Sequence, residues 1–187
     1  MMSKALLVID VQEGWRNPSS PLYLGSDFKD LTKNIQELVQ FCRSKSISVV
    51  WVTHVLKADG SDRERFQPPE ISFFVEGTKD VQLMSELQPL PSETVLKKNR
   101  LSCFLGTNLQ ELLKRENMDE LVLCGIMTNG CVRTTAIDAY QRNLKVVVVK
   151  DCCASGDSEV DEFTFKDLKN LLFGFECPPL EDFKKQA

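Results

Sequence analysis

Four short apolar, β-branched runs, at residues 5–9, 47–52, 121–126 and 146–149, constrain this chain more than any other feature. They show little alternation of apolar and polar residues, the pattern of parallel strands buried on both faces. A weaker run at 94–96 is a candidate fifth strand, and 175–177, stopped by Pro178-Pro179, a candidate sixth at an edge. Helical spacing fills the intervals. Leu31, Ile35, Leu38, Val39 and Cys42 share one face of a helix over about 28–44. Thr107-Asn108-Leu109-Gln110 reads as a capping box ahead of Leu109, Leu112 and Leu113. A third helix is expected from near Gly130 to Arg142, and a fourth carries Leu168, Leu171, Leu172 and Phe175. Strands alternating with helices predict right-handed βαβ units. The fold class expected is α/β: a doubly wound, Rossmann-like parallel sheet of five to six strands with helices on both faces.

The length of 187 residues suits one domain, 1–187, with a real core and no comfortable second one. The polar stretch 57–91, with Pro68, Pro69, Pro89 and Pro91, reads as a lid or oligomer-contact insertion. A net charge of −4 without a long Lys/Arg run excludes a phosphate-tracking surface, so nucleic acid is not an expected partner. The first apolar run is cut by Asp10, too short for a signal-peptide core or a membrane span. The seven cysteines are scattered, with no disulfide or CxxC spacing, which points to buried thiols in a reducing cytoplasm.

In sheets of this kind ligands bind beyond the carboxyl ends of the strands. The polar residues expected there are Asp10, His54, Lys98, Cys131 and Asp151. A carboxylate such as Asp10 is also a common way to end a strand, and a lysine such as Lys97 or Lys98 is usually solvated. Cys131 follows a strand-to-turn stretch and enters a helix, where unpaired N–H groups favour thiolate. An unperturbed thiol is only about 3% ionised at pH 7. No G-x-G-x-x-G, P-loop or G-x-S-x-G pattern is present, and the single histidine, His54, limits any nucleophile–His dyad to itself.

Three long segments carry a resemblance. Leu7-Val8-Ile9-Asp10-Val11-Gln12-Glu13-Gly14-Trp15 resembles the D-x-Q-x-x-F opening of isochorismatase-like cysteine hydrolases, with Trp15 in the aromatic place. Lys98-Asn99-Arg100-Leu101-Ser102-Cys103-Phe104-Leu105-Gly106-Thr107 resembles their K-x-R-[YF]-S-x-F-x-G-T segment. Cys124-Gly125-Ile126-Met127-Thr128-Asn129-Gly130-Cys131-Val132 resembles the C-G-[VI]-x-T-x-x-C-V signature, and Asp151-Cys152-Cys153-Ala154-Ser155 a D-A-C-A-S that follows it. The motifs span about residues 5–155. Leu101, Asn143, Phe163 and Phe165 depart from the usual pattern, away from the residues named below.

The resemblance selects Lys98 over Lys97 and implies a catalytic triad of Asp10, Lys98 and Cys131, as in the nicotinamidase and N-carbamoylsarcosine amidase branch. It implies a cis peptide at Ile126–Met127 and an oxyanion hole from the backbone N–H groups of Met127 and Cys131. Trp15, Gln12 and His54 are the candidate substrate contacts. The activity implied is cleavage of a C–N bond in a small amide, carbamoyl or ureido substrate through a thioester. No cofactor is expected. Metal-binding relatives place an Asp and two histidines near the second strand, whereas here His54 has only Asp59 and Asp62 downstream, so no metal is expected either. The expected protein is cytoplasmic and homo-oligomeric, a dimer or higher even assembly, with a small-molecule partner and no membrane. Two other functions fit the residues: a catalytically silent scaffold or binding subunit, and a redox-sensing thiol protein built on Cys152-Cys153.

Overall fold

The computed structural model describes residues 3–26, 28–68 and 72–186. Five strands, β1 (Lys4–Ile9), β2 (Ser48–His54), β3 (Thr94–Lys98), β4 (Glu120–Ile126) and β5 (Lys145–Ala154), form one sheet in the order β3-β2-β1-β4-β5. Every neighbouring pair is parallel. β1 is buried from Ala5 onward and β4 along its whole length, which is why these runs lack alternation. The sixth strand expected at 175–177 shrinks to one bridge, Val147 with Glu176.

Helix α1 (Lys29–Ser44) buries Leu31, Ile35, Leu38, Val39 and Cys42 against β1, β2 and β5. It also meets a short C-terminal helix, α5 (Leu180–Gln186). Helices α3 (Arg133–Gln141) and α4 (Ser158–Leu171) pack on β5 and on each other, and α2 (Leu109–Arg115) precedes β4. Strand order runs outward in both directions from β1, so right-handed crossovers place α1 on one face and α2 and α3 on the other. The order reverses between β1 and β4. There the loops after two adjacent strands part and leave a crevice.

Several local expectations are corrected. Thr107 does not cap α2 as a box: its Oγ1 accepts from Leu109 N at 3.2 Å and donates to Cys103 O, while Gln110 Oε1 is taken by Arg142. The third helix opens with a π turn, Thr128–Val132. α4 begins at Ser158, capped by Asp157, whose Oδ1 accepts from Glu159 N at 2.8 Å. β5 runs on past Val149 to Ala154, so Asp151 does not stand at a strand end. Its side chain is exposed and accepts from Leu180 N at 3.0 Å, which ties α5 to the sheet and removes Asp151 from the site.

Within 57–91, Pro69 lies outside the described residues. The later half is sewn into the body. Leu56 bridges Val75, Gln12 bridges Leu83, and Phe74, Met84 and Leu87 are buried in the common core.

Candidate active site

The site begins where β1 stops. Asp10 takes a positive φ of 52°, a conformation that costs an L-residue free energy and is tolerated best by Asp and Asn. Its N–H still bonds Val52 O at 2.9 Å, but its carbonyl is taken by Gln12 N at 2.9 Å and by the Trp15 indole Nε1 at 2.6 Å. The backbone thereby leaves the sheet, and the last residue of β2 loses its neighbour on that side. Gln12 replaces it. Its amide donates to His54 O at 2.9 Å and to Val81 O at 2.9 Å, and accepts from His54 N at 2.8 Å.

β2 and β3 pair in register, His54 beside Lys98. Strand alternation settles the choice between the two lysines: Lys97 points out to solvent near Glu76, while Lys98 points in and is 3% exposed. Lys98 Nζ lies 2.6 Å from Asp10 Oδ2, 3.2 Å from Cys131 Sγ, 3.0 Å from Arg100 O and 3.4 Å from His54 Nδ1. Cys131 reaches this point from the π turn, a local form often found at functional sites. Asp10, Lys98 and Cys131 therefore meet at the carboxyl ends of β1, β3 and β4. The Ile126–Met127 peptide is cis, as the resemblance implies.

The electrostatics follow from burial and from Lys98. Burial, the largest single effect, pulls the ammonium pKa down, but the Asp10 carboxylate together with Cys131 and Cys103 outweighs it, and the net shift is upward. The Cys131 thiol is pushed well above its ordinary range, first by burial and then by the Asp10 carboxylate, against the opposing pull of Lys98. This corrects the expectation of a resting thiolate. The resting group is a neutral thiol beside an ion pair. Burial, followed by the Lys98 charge, lowers His54 to about 4, so the ring is neutral at pH 7.

Asp10, His54 and Cys131 offer donor atoms within 4.8 Å of one another, close enough for a metal. Lys98 Nζ, however, sits within 3.4 Å of an atom of each, and its own cation occupies the centre they share. The donor set does not fit a metal as well. Asp59 and Asp62 are committed to their loop: they accept from Ser61 N and from Lys57 N, both at 2.9 Å, and Asp62 also from Asn99 at 2.9 Å.

Two of the three residues expected at the substrate have their polar groups bonded within the protein. Gln12 is wholly buried with its amide spent on the backbone, and Trp15 is 5% exposed with its N–H on Asp10. His54 stays at the edge of the site, with Nε2 buried and unpartnered among the described residues. Cys152 and Cys153 are buried, and burial drives both thiols far up, which removes the thiolate a redox sensor needs. Phe73 and Phe74, which flank the His54 ring at 5.7 and 5.9 Å, escaped sequence reasoning. The one available signal was an aromatic pair inside an otherwise polar stretch.

Residues 4–175 match the Isochorismatase domain. The chain is 30% identical to a maleamate amidohydrolase of Pseudomonas putida, over 88% of this chain and 78% of that protein. It is 26% identical to a protein of Arabidopsis thaliana named "Probable inactive nicotinamidase", over 97% of this chain and 95% of that one. Its fold superposes on the crystal structure of an isochorismatase family protein from Desulfovibrio vulgaris with a TM-score of 0.89. The two are 30% identical, and the match covers 100% of this chain and 98% of that one.

Proposed function

The chain belongs to the isochorismatase family and is a hydrolase of C–N bonds other than peptide bonds, and we propose that it works through a thioester on Cys131. The observation that carries this reading is Lys98 Nζ held between Asp10 Oδ2 at 2.6 Å and Cys131 Sγ at 3.2 Å in a buried site. Asp10 Oδ1 has no hydrogen-bond partner among the described residues and is free to receive the thiol proton. With no charged histidine available, that carboxylate is the base at hand.

As Asp10 takes the proton, Sγ attacks the carbonyl carbon of a small amide, carbamoyl or ureido substrate. The N–H groups of Met127 and Cys131 hold the oxyanion, a contribution of about 3–4 kcal/mol per donor in comparable sites. Asp10 then hands its proton to the leaving nitrogen, the C–N bond breaks, and ammonia or an amine departs. Water, deprotonated by Asp10, attacks the thioester, and the acid leaves as the thiol is restored. Lys98, 2.6 Å from Asp10 Oδ2 and 3.2 Å from Cys131 Sγ, keeps a positive charge beside whichever of the two carries the negative charge as the proton passes between them.

In this reading residues 1–187 form one hydrolase domain that needs no cofactor, with 57–91 as pocket wall or subunit contact. The protein is cytoplasmic, and Leu101, Leu105 and Phe163, all exposed, supply apolar surface for an even homo-oligomer. No helix among the described residues is long and apolar enough to cross a membrane. Light scattering at micromolar concentration tests the assembly; a monomer mass refutes it.

The chemistry is tested by ammonia release from a panel of small amides, carbamoyl and ureido compounds. Cys131→Ala, Asp10→Asn and Lys98→Ala should each abolish turnover in a folded protein. More than a few per cent of wild-type rate in Cys131→Ala would sink the covalent mechanism. Similarity to a relative named inactive favours a second reading, a catalytically silent subunit, and wild-type silence across the panel would support it.

A further inference from the structure

Lys98 and Cys131 stand side by side, yet the sheet alone does not put them there. Strands β2 and β1 lie between β3 and β4, and β3 is a five-residue strand at the edge. Three strand pairings separate the two residues, and twist differs from one pairing to the next. A contact of 3.2 Å between Nζ and Sγ therefore calls for a tie that bypasses the sheet. The loop after β3 supplies one.

The π turn that carries Cys131 runs without a break into α3, where Thr135, Asp138 and the C-cap residue Arg142 share one helix face. They grip three consecutive loop residues. Thr135 Oγ1, on a fully buried residue, accepts from Cys103 N at 3.1 Å. Asp138 Oδ2 accepts from Ser102 Oγ, which itself accepts from Phe104 N at 3.2 Å. Arg142 lies over the Phe104 ring, 4.5 Å from its centroid, and pairs with Asp138 Oδ1 at 3.2 Å. Both Asp138 oxygens are in use, one on the loop and one on the arginine that covers it. Two residues before Ser102, Arg100 O accepts from Lys98 Nζ at 3.0 Å, so the chain of contacts ends on the ammonium itself. The side chains of Asn99 and Arg100 bond Asp62 at 2.9 Å each, in the surface loop 57–68 rather than the sheet.

We infer that Ser102 and Asp138 are positioning residues that, through the 99–104 loop, set where Lys98 Nζ rests between Asp10 and Cys131. With that latch open, Arg100 O is released, and Nζ, still paired with Asp10 at 2.6 Å, moves away from the sulfur. The latch needs a carboxylate, because Ser102 and Arg142 both donate to it. An asparagine accepts from one and turns its NH2 on the other. The inference rests on the proposed function only in taking Lys98 and Cys131 as a working pair.

The first test needs no turnover. Iodoacetamide labelling of Cys131 at pH 9 is followed by mass spectrometry in Ser102→Ala and Asp138→Asn, and Ser102→Ala decides alone if the other does not fold. Taking the cation from beside the thiol removes thiolate, so both variants should label about 10-fold more slowly than wild type. General loosening does the opposite, since an opened site hydrates the thiolate and speeds labelling. Leu38→Ala, a cavity under α1 on the other face of the sheet, should melt lower and label no more slowly. On an amide that the wild type turns over, kcat should fall about 10–100-fold with KM within about twofold. Ser102→Ala/Asp138→Asn should be no slower than the worse single variant, because the two residues act through one bond. Labelling as fast as wild type or faster, additive losses in the double variant, or slowed labelling in Leu38→Ala overturns the inference. Turnover that persists in Cys131→Ala would overturn the thioester alone and leave the labelling result standing.

Discussion

Asp10 is held at φ 52° by contacts to its own carbonyl, and the shortest comes from the Trp15 indole at 2.6 Å. The same indole stacks edge-on against Phe74 at 5.1 Å, so one side chain ties the Asp10 backbone to a ring that flanks His54. Trp15→Phe keeps a ring there and deletes the bond. A buried hydrogen bond is worth about 0.5–1.5 kcal/mol net, and its loss frees Asp10 to relax out of the strained conformation. We expect a folded variant with kcat down about 3–10-fold, by steady-state kinetics beside a thermal melt; an unchanged kcat would leave the indole with packing alone. Cys131 gives a second prediction. Its thiol is raised by burial and by Asp10, so it is protonated through the neutral range. Alkylation of Cys131 by iodoacetamide should be slow at pH 7 and still be climbing at pH 9, followed by mass spectrometry of the labelled peptide. A plateau near neutral pH would mean a resting thiolate and a different division of labour with Asp10.

At the scale of elements, the parallel pairing of β1 with β4, Ile9 beside Gly125, holds the site together, and Gly125 makes it possible. At φ 126° a side chain is strained, and a Cβ there would lie 2.0 Å from Ile9 O, the backbone just before Asp10. Neither strand can yield without moving the triad. Gly125→Ala should therefore cost more than about 3 kcal/mol, a core-clash effect, read as a large drop in melting temperature or failure to accumulate in soluble form. Native-like melting would show that the strands can separate. The same contrast between backbone and side chain explains what could be read in advance. β1, β2 and β4 were legible to within two residues because burial on both faces leaves continuous apolar runs. β5 was cut short because Lys150 and Asp151 break its run, while a register shift between Leu123 and Gly125 lets pairing resume at Cys153. α5 was missed because Pro178-Pro179 reads as a stop, yet Pro179 O accepts from Phe183 N at 3.0 Å and opens a helix. Asp10, Lys98 and Cys131 could be singled out only through the motif resemblance, and the structure brings the three side chains together. The role of Gln12 was not legible, since it depends on β1 turning away at Asp10.

For the whole molecule, acid is the informative stress. His54 is buried neutral with a pKa lowered to about 4 from 6.5, so below pH 6.5 the unfolded chain binds a proton that the folded chain refuses. Stability therefore falls as pH drops from about 6.5 towards 4, and by linkage this one group accounts for about 2 kcal/mol between pH 7 and pH 5. Carboxylates add to the slope with the same sign. Glu13 is held below its ordinary pKa by Arg16; in Glu93 the bonds from Arg43, Leu90 N and Trp51 outweigh the raising effect of burial. Their share is lost as they protonate, at pH values below the ordinary carboxylate range. The histidine contribution is separable because the chain has only one. Urea unfolding at pH 7 and pH 5 should show a stability loss in the wild type about 2 kcal/mol larger than in His54→Gln, whose side chain does not titrate. Equal losses in the two proteins would mean that His54 is protonated in the folded state at pH 5. Lys98 would then face a second cation across the 3.4 Å that separates its Nζ from His54 Nδ1.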